Sequence, residues 1–174
     1  MSTTAAAAQS LRDLINHIQD THHAFLRNEL PFLEERIAQM ASKHGQDRPE
    51  LFEVQQKLQD LRDDLTVHLE KEERILFPYI AGLEASHEGL CPEPSGCFPS
   101  VRFPIRMMLM EHDTATEVLA ELRSLTSNYA APDGLCDCGR EFYRRLEGLE
   151  TDLQQHIAVE NNELFPRAIA LEEV

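Results

Sequence analysis

The sequence has no tryptophan, only 3 tyrosines, and only 7 glycines in 174 residues. It has no run of eighteen apolar residues, so no transmembrane helix is expected. Its start, MSTTAAAAQS, offers neither a basic n-region nor an apolar h-region, so no secretion signal is expected either. Basic residues are scarce: 16 Lys+Arg against 31 Asp+Glu leave a formal charge of −15. With no cluster of Lys or Arg to offset that field, a polyphosphate or an anionic membrane surface would be repelled, which excludes nucleic acid and membrane as main partners. The expectation is a soluble, cytoplasmic chain forming one globular domain over 1–174, long enough to bury a core without disulfide staples.

Histidine is what the chain does have, in 8 copies: His17, His22, His23, His44, His68, His87, His112 and His156. Breaks at Gly45 to Pro49, at the Pro- and Gly-containing stretch from Gly89 to Pro104, and at SNYAAPDGLCDCG divide the chain into four segments rich in helix formers. We read helices at about 9–44, 49–85, 104–127 and 138–172, and hence an all-α, up-down-up-down four-helix bundle. Each segment shows 3,4 spacing of apolar residues. In the second the seam is Leu51, Val54, Leu58, Leu61, Leu65, His68, Glu72, Ile75 and Tyr79; in the fourth it is Phe142, Leu146, Leu149, Leu153, His156 and Glu160. The first carries His23, Leu26, Leu30, Leu33, Ile37, Met40 and His44, and the third Ile105, Met108, His112, Ala115, Leu119 and Leu122. Every helix therefore brings a histidine to its apolar seam.

The halves of the chain repeat one another. His68 and Glu72 open an H-x3-E-x3-L-F-P stretch that recurs from His156 and Glu160 to Pro166. Histidine and glutamate four apart share one helix face. Two such faces, with one inward histidine from each remaining helix, assemble His23, His68, Glu72, His112, His156 and Glu160. A lone inward histidine is usually an ordinary core residue, but two inward carboxylates with no Lys or Arg at their level need a cation. Four imidazoles and two carboxylates suit a transition metal rather than magnesium or calcium. Two irons, bridged by both carboxylates and by an oxo or hydroxo group, use the donors best and leave one open position on each metal; manganese or a single zinc are the substitutes. His22 competes with His23 but follows Ile15 and Ile18 on the neighbouring face, so His23 is preferred. His44 lies about 30 Å along the helix from His23 and cannot share its metal. His17 and His87 read as surface, as do Asp113, Asn161 and Asn162, although the last three could also support a metal ligand.

On the segments THHAFLRNELP, SKHG, HLEKEERILFP, EHD, LTSNYAAPDGLC and HIAVENNELFPRA, the chain resembles the hemerythrin-like HHE cation-binding domains, and among them the di-iron Repair of Iron Centers family. The resemblance implies a carboxylate-bridged di-iron site on the same six residues. It further implies a role in nitrosative and oxidative stress: binding or reducing nitric oxide or oxygen species, and supporting repair of iron-sulfur clusters. Small diatomic ligands and iron-sulfur proteins are the implied partners. An oxygen or nitric oxide carrier or sensor, and an iron donor without redox catalysis, use the same ligand set; nitric oxide reduction by a di-iron oxidoreductase is the enzymatic reading. Cys91 and Cys97 lie in a different connection from Cys136 and Cys138, about 30 Å or more away, so the four do not make one site. Free thiols are expected, with a Cys91–Cys97 disulfide, or iron or nitric oxide at Cys136 and Cys138, as alternatives.

Overall fold

The computed structural model describes residues 9–173, and the remainder of the expected domain, residues 1–8 and 174, lies outside them. Four long helices follow one another: α1 over residues 11–44, α2 over 50–87, α3 at Arg102–Leu125 and α4 over 137–172. They form an all-α four-helix bundle in which α1 packs on α2, α2 on α3, and α4 on both α1 and α3. No strand occurs among the described residues, and no helix among them is long and apolar enough to cross a membrane.

The ends of the helices are tied to one another. Ser10 caps α1 by accepting from the Asp13 N–H at 3.0 Å. The Glu84 carboxylate of α2 accepts from the N–H groups of Leu11 and Arg12 at 2.6 and 3.0 Å. At the same end Glu172 of α4 accepts from Ser100 Oγ at 2.6 Å and from the Val101 N–H at 2.8 Å, which fixes the start of α3.

Three of the helices contain a π-helical turn: Gln19–His23 in α1, Glu72–Leu76 in α2 and Glu160–Leu164 in α4. The signature bonds run five residues back, from Ala24 N–H to Gln19, from Phe77 N–H to Glu72 and from Phe165 N–H to Glu160. Pro78 and Pro166 lie two residues past the ends of the second and third turns. A proline inside a helix has no N–H to give and its ring collides with the carbonyl four residues back, so widening the preceding turn removes the conflict. The repeated L-F-P thus accompanies two of the three π-turns, whereas Pro31 lies in regular α-helix and the Gln19–His23 turn has no proline after it.

One extra residue per turn displaces the seam, and here the sequence expectation needs correction. Ile75, expected inward, is 46% exposed, and Tyr79 is half-buried; Leu76, Phe77, Ile80 and Leu83 face the core instead. His44, placed on the first seam, is exposed at the end of α1. The free-thiol expectation also fails for one pair: Cys136 and Cys138 form a disulfide, with Cα atoms 5.4 Å apart. Cys136 precedes α4 in extended backbone and turns its side chain back onto the first helical turn. Cys91 and Cys97 are exposed free thiols.

Two apolar cores fill the bundle. One runs from Leu26 to Met40 in α1 against Leu51–Leu69, Ala115–Leu122 and Phe142–Leu153; the other gathers Leu11, Ile18, Phe77, Ile80, Ile105, Met108 and Phe165. Between them lies a layer of buried histidine and glutamate.

Candidate metal centre

The six seam residues all reach that layer: His23, His156 and Glu160 with Glu72 form one group, and His68, His112 and Glu160 with Glu72 the other, each with its donor atoms within 4.8 Å of one another. All six are buried, and Glu72 and Glu160 are fully so. The Nε2 atoms of His23 and His156 approach to 3.2 Å, as do those of His68 and His112. Each carboxylate faces both pairs. Glu72 sets one oxygen 3.4 Å from His23 Nε2 and the other 3.4 Å from His68 Nε2; Glu160 sets its two oxygens 3.1 Å from His112 Nε2 and from His156 Nε2.

The π-turns build this geometry. Counted forward from Leu14 and Ile18, the inward position is His22; counted back from Leu30 and Leu26, it is His23. The π-turn at Gln19–His23 satisfies both counts, and both histidines are buried. Glu72 and Glu160 each begin a π-turn, where the locally widened helix gives the carboxylate room at the bundle axis.

Outer hydrogen bonds set the imidazole tautomers. Glu73 Oε1 lies 2.7 Å from His23 Nδ1 while its other oxygen lies 2.7 Å from Arg27. Glu111 lies 2.8 Å from His68 Nδ1 and pairs with Lys71. Asn161 Oδ1 lies 2.9 Å from His112 Nδ1. Each acceptor holds the proton on Nδ1 and leaves the Nε2 lone pair directed into the site. Facing lone pairs 3.2 Å apart repel unless a cation or proton lies between them.

The carboxylates make the same demand. All four oxygens of Glu72 and Glu160 are buried and accept no hydrogen bond. The electrostatics of the group point the same way: burial pushes the His68 imidazole down, but the Glu72 carboxylate, helped by Glu111 and Glu160, overrides it and raises His68 to about 9. His156 is raised by Glu160 and Glu72 against the same burial. Glu160 is held well below the usual carboxylate range, its burial outweighed by His156 and His112. Positive charge is required here, and imidazole nitrogen with carboxylate oxygen is the donor set of a transition-metal cation.

Around this centre the structure revises several sequence expectations. His22 is buried, its Nδ1 2.9 Å from Asp152, and its ring is stacked on His156. Asn161, read as solvated, holds His112, while Asp113 and Asn162 are exposed as expected. His17 and His87 are exposed. Glu73, Glu111 and Asp152 escaped the sequence reading. The first two adjoin Glu72 and His112 in the chain, yet each serves a histidine on a different helix, which periodicity cannot show.

A family profile described as the Hemerythrin HHE cation binding domain matches residues 14–168. The chain is 37% identical over 161 residues to a protein of Dickeya chrysanthemi named Iron-sulfur cluster repair protein YtfE, covering 92% of this chain and 66% of that one. It is 35% identical over 164 residues to the protein of that name from Cronobacter sakazakii, covering 94% and 68%. A Yersinia pestis protein of the same name is 34% identical over 161 residues, covering 92% and 67%. The chain thus spans about two thirds of the length of these relatives.

Proposed function

This chain belongs to the hemerythrin HHE cation-binding domain family, and from that premise we propose that it is a non-haem di-iron protein of the nitrosative and oxidative stress response. In this reading it acts in the cytoplasm, takes nitric oxide or oxygen species as small diatomic ligands, and supports the repair of damaged iron-sulfur proteins. His23 and His156 hold one iron, His68 and His112 the other, and Glu72 and Glu160 bridge the two. The observation that carries the reading is the pairing of Nε2 lone pairs at 3.2 Å beside four buried carboxylate oxygens that accept no hydrogen bond. Each carboxylate divides its oxygens between the two histidine pairs, as a bridge between two cations requires.

Bound iron would supply a one-electron couple on each metal and coordination positions open to a small molecule. The protein does the rest. Glu73, Glu111 and Asn161 keep three imidazoles in the ligating tautomer. The two apolar cores exclude charged species from both ends of the layer. A cleft of about 300 Å³ between α2 and α3 is lined by Leu61, Val67, Ala115 and Val118 together with Asp64, Lys71 and Glu111, and His68 borders it. The relatives' name carries cluster repair to this chain, and its overall charge of −15 is compatible with protein rather than nucleic-acid partners.

The test is metal content per chain on protein expressed with iron and purified without chelators, read with its ultraviolet-visible spectrum, followed by incubation with a nitric oxide-damaged iron-sulfur enzyme. Two irons per chain, an oxo-bridge absorption and recovery of that enzyme's activity are expected. Zinc alone, or no recovery, would sink the proposal.

A further inference from the structure

The four inward imidazoles are not held alike. His23, His68 and His112 each have an Nδ1 partner, at 2.7, 2.8 and 2.9 Å. His156 Nδ1 is buried and, among the described residues, has none. The His156 ring lies instead against His22, with centroids 5.4 Å apart and planes 5° from parallel. His22 is itself fixed by Asp152 at 2.9 Å. Stacking fixes the plane of a ring but not its rotation within that plane, whereas a hydrogen bond at Nδ1 aims Nε2 and makes it a better donor.

The two halves of the site differ in one pair of residues. Both halves share Glu72 and Glu160. Each also has one imidazole supported by a carboxylate, His23 by Glu73 and His68 by Glu111, so these contributions balance. What differs is His156, with no outer acceptor, against His112, with Asn161. Loss of an outer partner of a ligating histidine weakens metal binding by about 10–100-fold.

We propose that the two half-sites hold metal unequally and that the His23/His156 position is the exchangeable one, releasing its iron toward the groove between α1 and α4; the inference rests on the two-metal reading above. A surface groove of about 440 Å³ on this side is lined by Phe25, Arg144, Glu147, Asp152 and Gln155, and Asp152 Oδ2, buried and unpartnered, offers an anionic oxygen to a departing divalent cation. A chain built this way gives one ferrous ion to an acceptor and keeps the other. His22 acts here as a positioning residue, through the His156 ring.

The experiment uses the full chain loaded with ferrous iron, its iron content measured first, then mixed with excess ferrozine and followed by absorbance. We expect two phases of one iron per chain each, with rates about 10–100-fold apart. Asn161→Ala should bring the slow phase up to the fast one, while Asn161→Asp, which keeps an acceptor, retains the slow phase. His22→Ala should accelerate the fast phase alone, and His22→Phe, which keeps a flat ring against His156, should restore it. Release of both irons in a single phase from the unmodified protein, or a slow phase indifferent to Asn161→Ala, would overturn the proposal and leave the di-iron reading intact. A chain that binds only one iron overturns the two-metal reading and this inference with it.

Discussion

Glu111 precedes His112 in the chain but serves His68: its carboxylate crosses from α3 to α2 and lies 2.8 Å from His68 Nδ1, while its second oxygen pairs with Lys71. Glu73 does the same from α2 to α1, joining His23 to Arg27. The residue beside one inward side chain thus orients an inward side chain of the neighbouring helix, and bundle packing and site geometry become a single property.

Glu111→Ala should therefore weaken metal binding by about 10–100-fold without unfolding the bundle. Glu111→Gln keeps an acceptor and should lose less. Competition against a chelator of known affinity measures both, and equal affinity in wild type and Glu111→Ala would remove the residue from this role.

Removing the metal should lower the melting temperature by about 8–16 °C, taking roughly 4 kcal/mol for a cation held at a thousand times its dissociation constant and about 2–4 °C per kcal/mol for a chain of this size. Calorimetry of the chelator-stripped protein checks this. The double variant Glu72→Gln/Glu160→Gln, which removes the carboxylates that hold charge on His68 and His156, should melt below the stripped wild type at neutral pH. If it melts higher, the buried carboxylates and not the loss of metal are the source of the instability.

The displaced seam of α2 makes neighbouring residues unequal. Leu76→Ala should cost about 2–5 kcal/mol, because Leu76 is 1% exposed within the core, while Ile75→Ala at 46% exposure should stay within about 1 kcal/mol. Urea unfolding of the two variants decides. A regular α-helix through this region predicts the opposite order.

Arg145 of α4 makes a two-pronged contact with the buried Glu29 of α1, at 2.5 and 2.6 Å, beneath which its guanidinium lies 3.4 Å from the Phe32 ring centroid. Arg145→Ala should destabilise by about 3 kcal/mol, since it leaves the Glu29 carboxylate unpaired. Adding Glu29→Leu should recover part of that loss in chemical denaturation; full additivity of the two changes would contradict the pairing.

The bundle and the convergence of six polar side chains were legible because they rest on local spacing. H-x3-E places two groups on one face, and 3,4 spacing of leucine says which face is inside. The register beyond Glu72 was not legible in that way. It depends on a π-turn, and the residue that accompanies it, Pro78, lies after the turn rather than within the spacing that defines the seam. That His22 and His23 are both inside was illegible for the same reason, because the helix is locally wider than 3.6 residues per turn allows; of the two, His23 joins the group of metal-ligating side chains. His44 shows the limit from the other side, since periodicity continues past the point where a helix leaves the bundle and its last residues meet water.

By itself the sequence determined the four helices, their apolar faces, and the demand for positive charge between Glu72 and Glu160, because each follows from residues a few positions apart. Only the tertiary structure decided which outer group holds which imidazole. Glu73 reaches His23, Glu111 reaches His68, Asn161 reaches His112, and His156 is left with a stacked ring. Those pairings join residues roughly 40 to 50 positions apart across helix interfaces, where the angle and rotation of packed helices, not spacing along either one, set who meets whom.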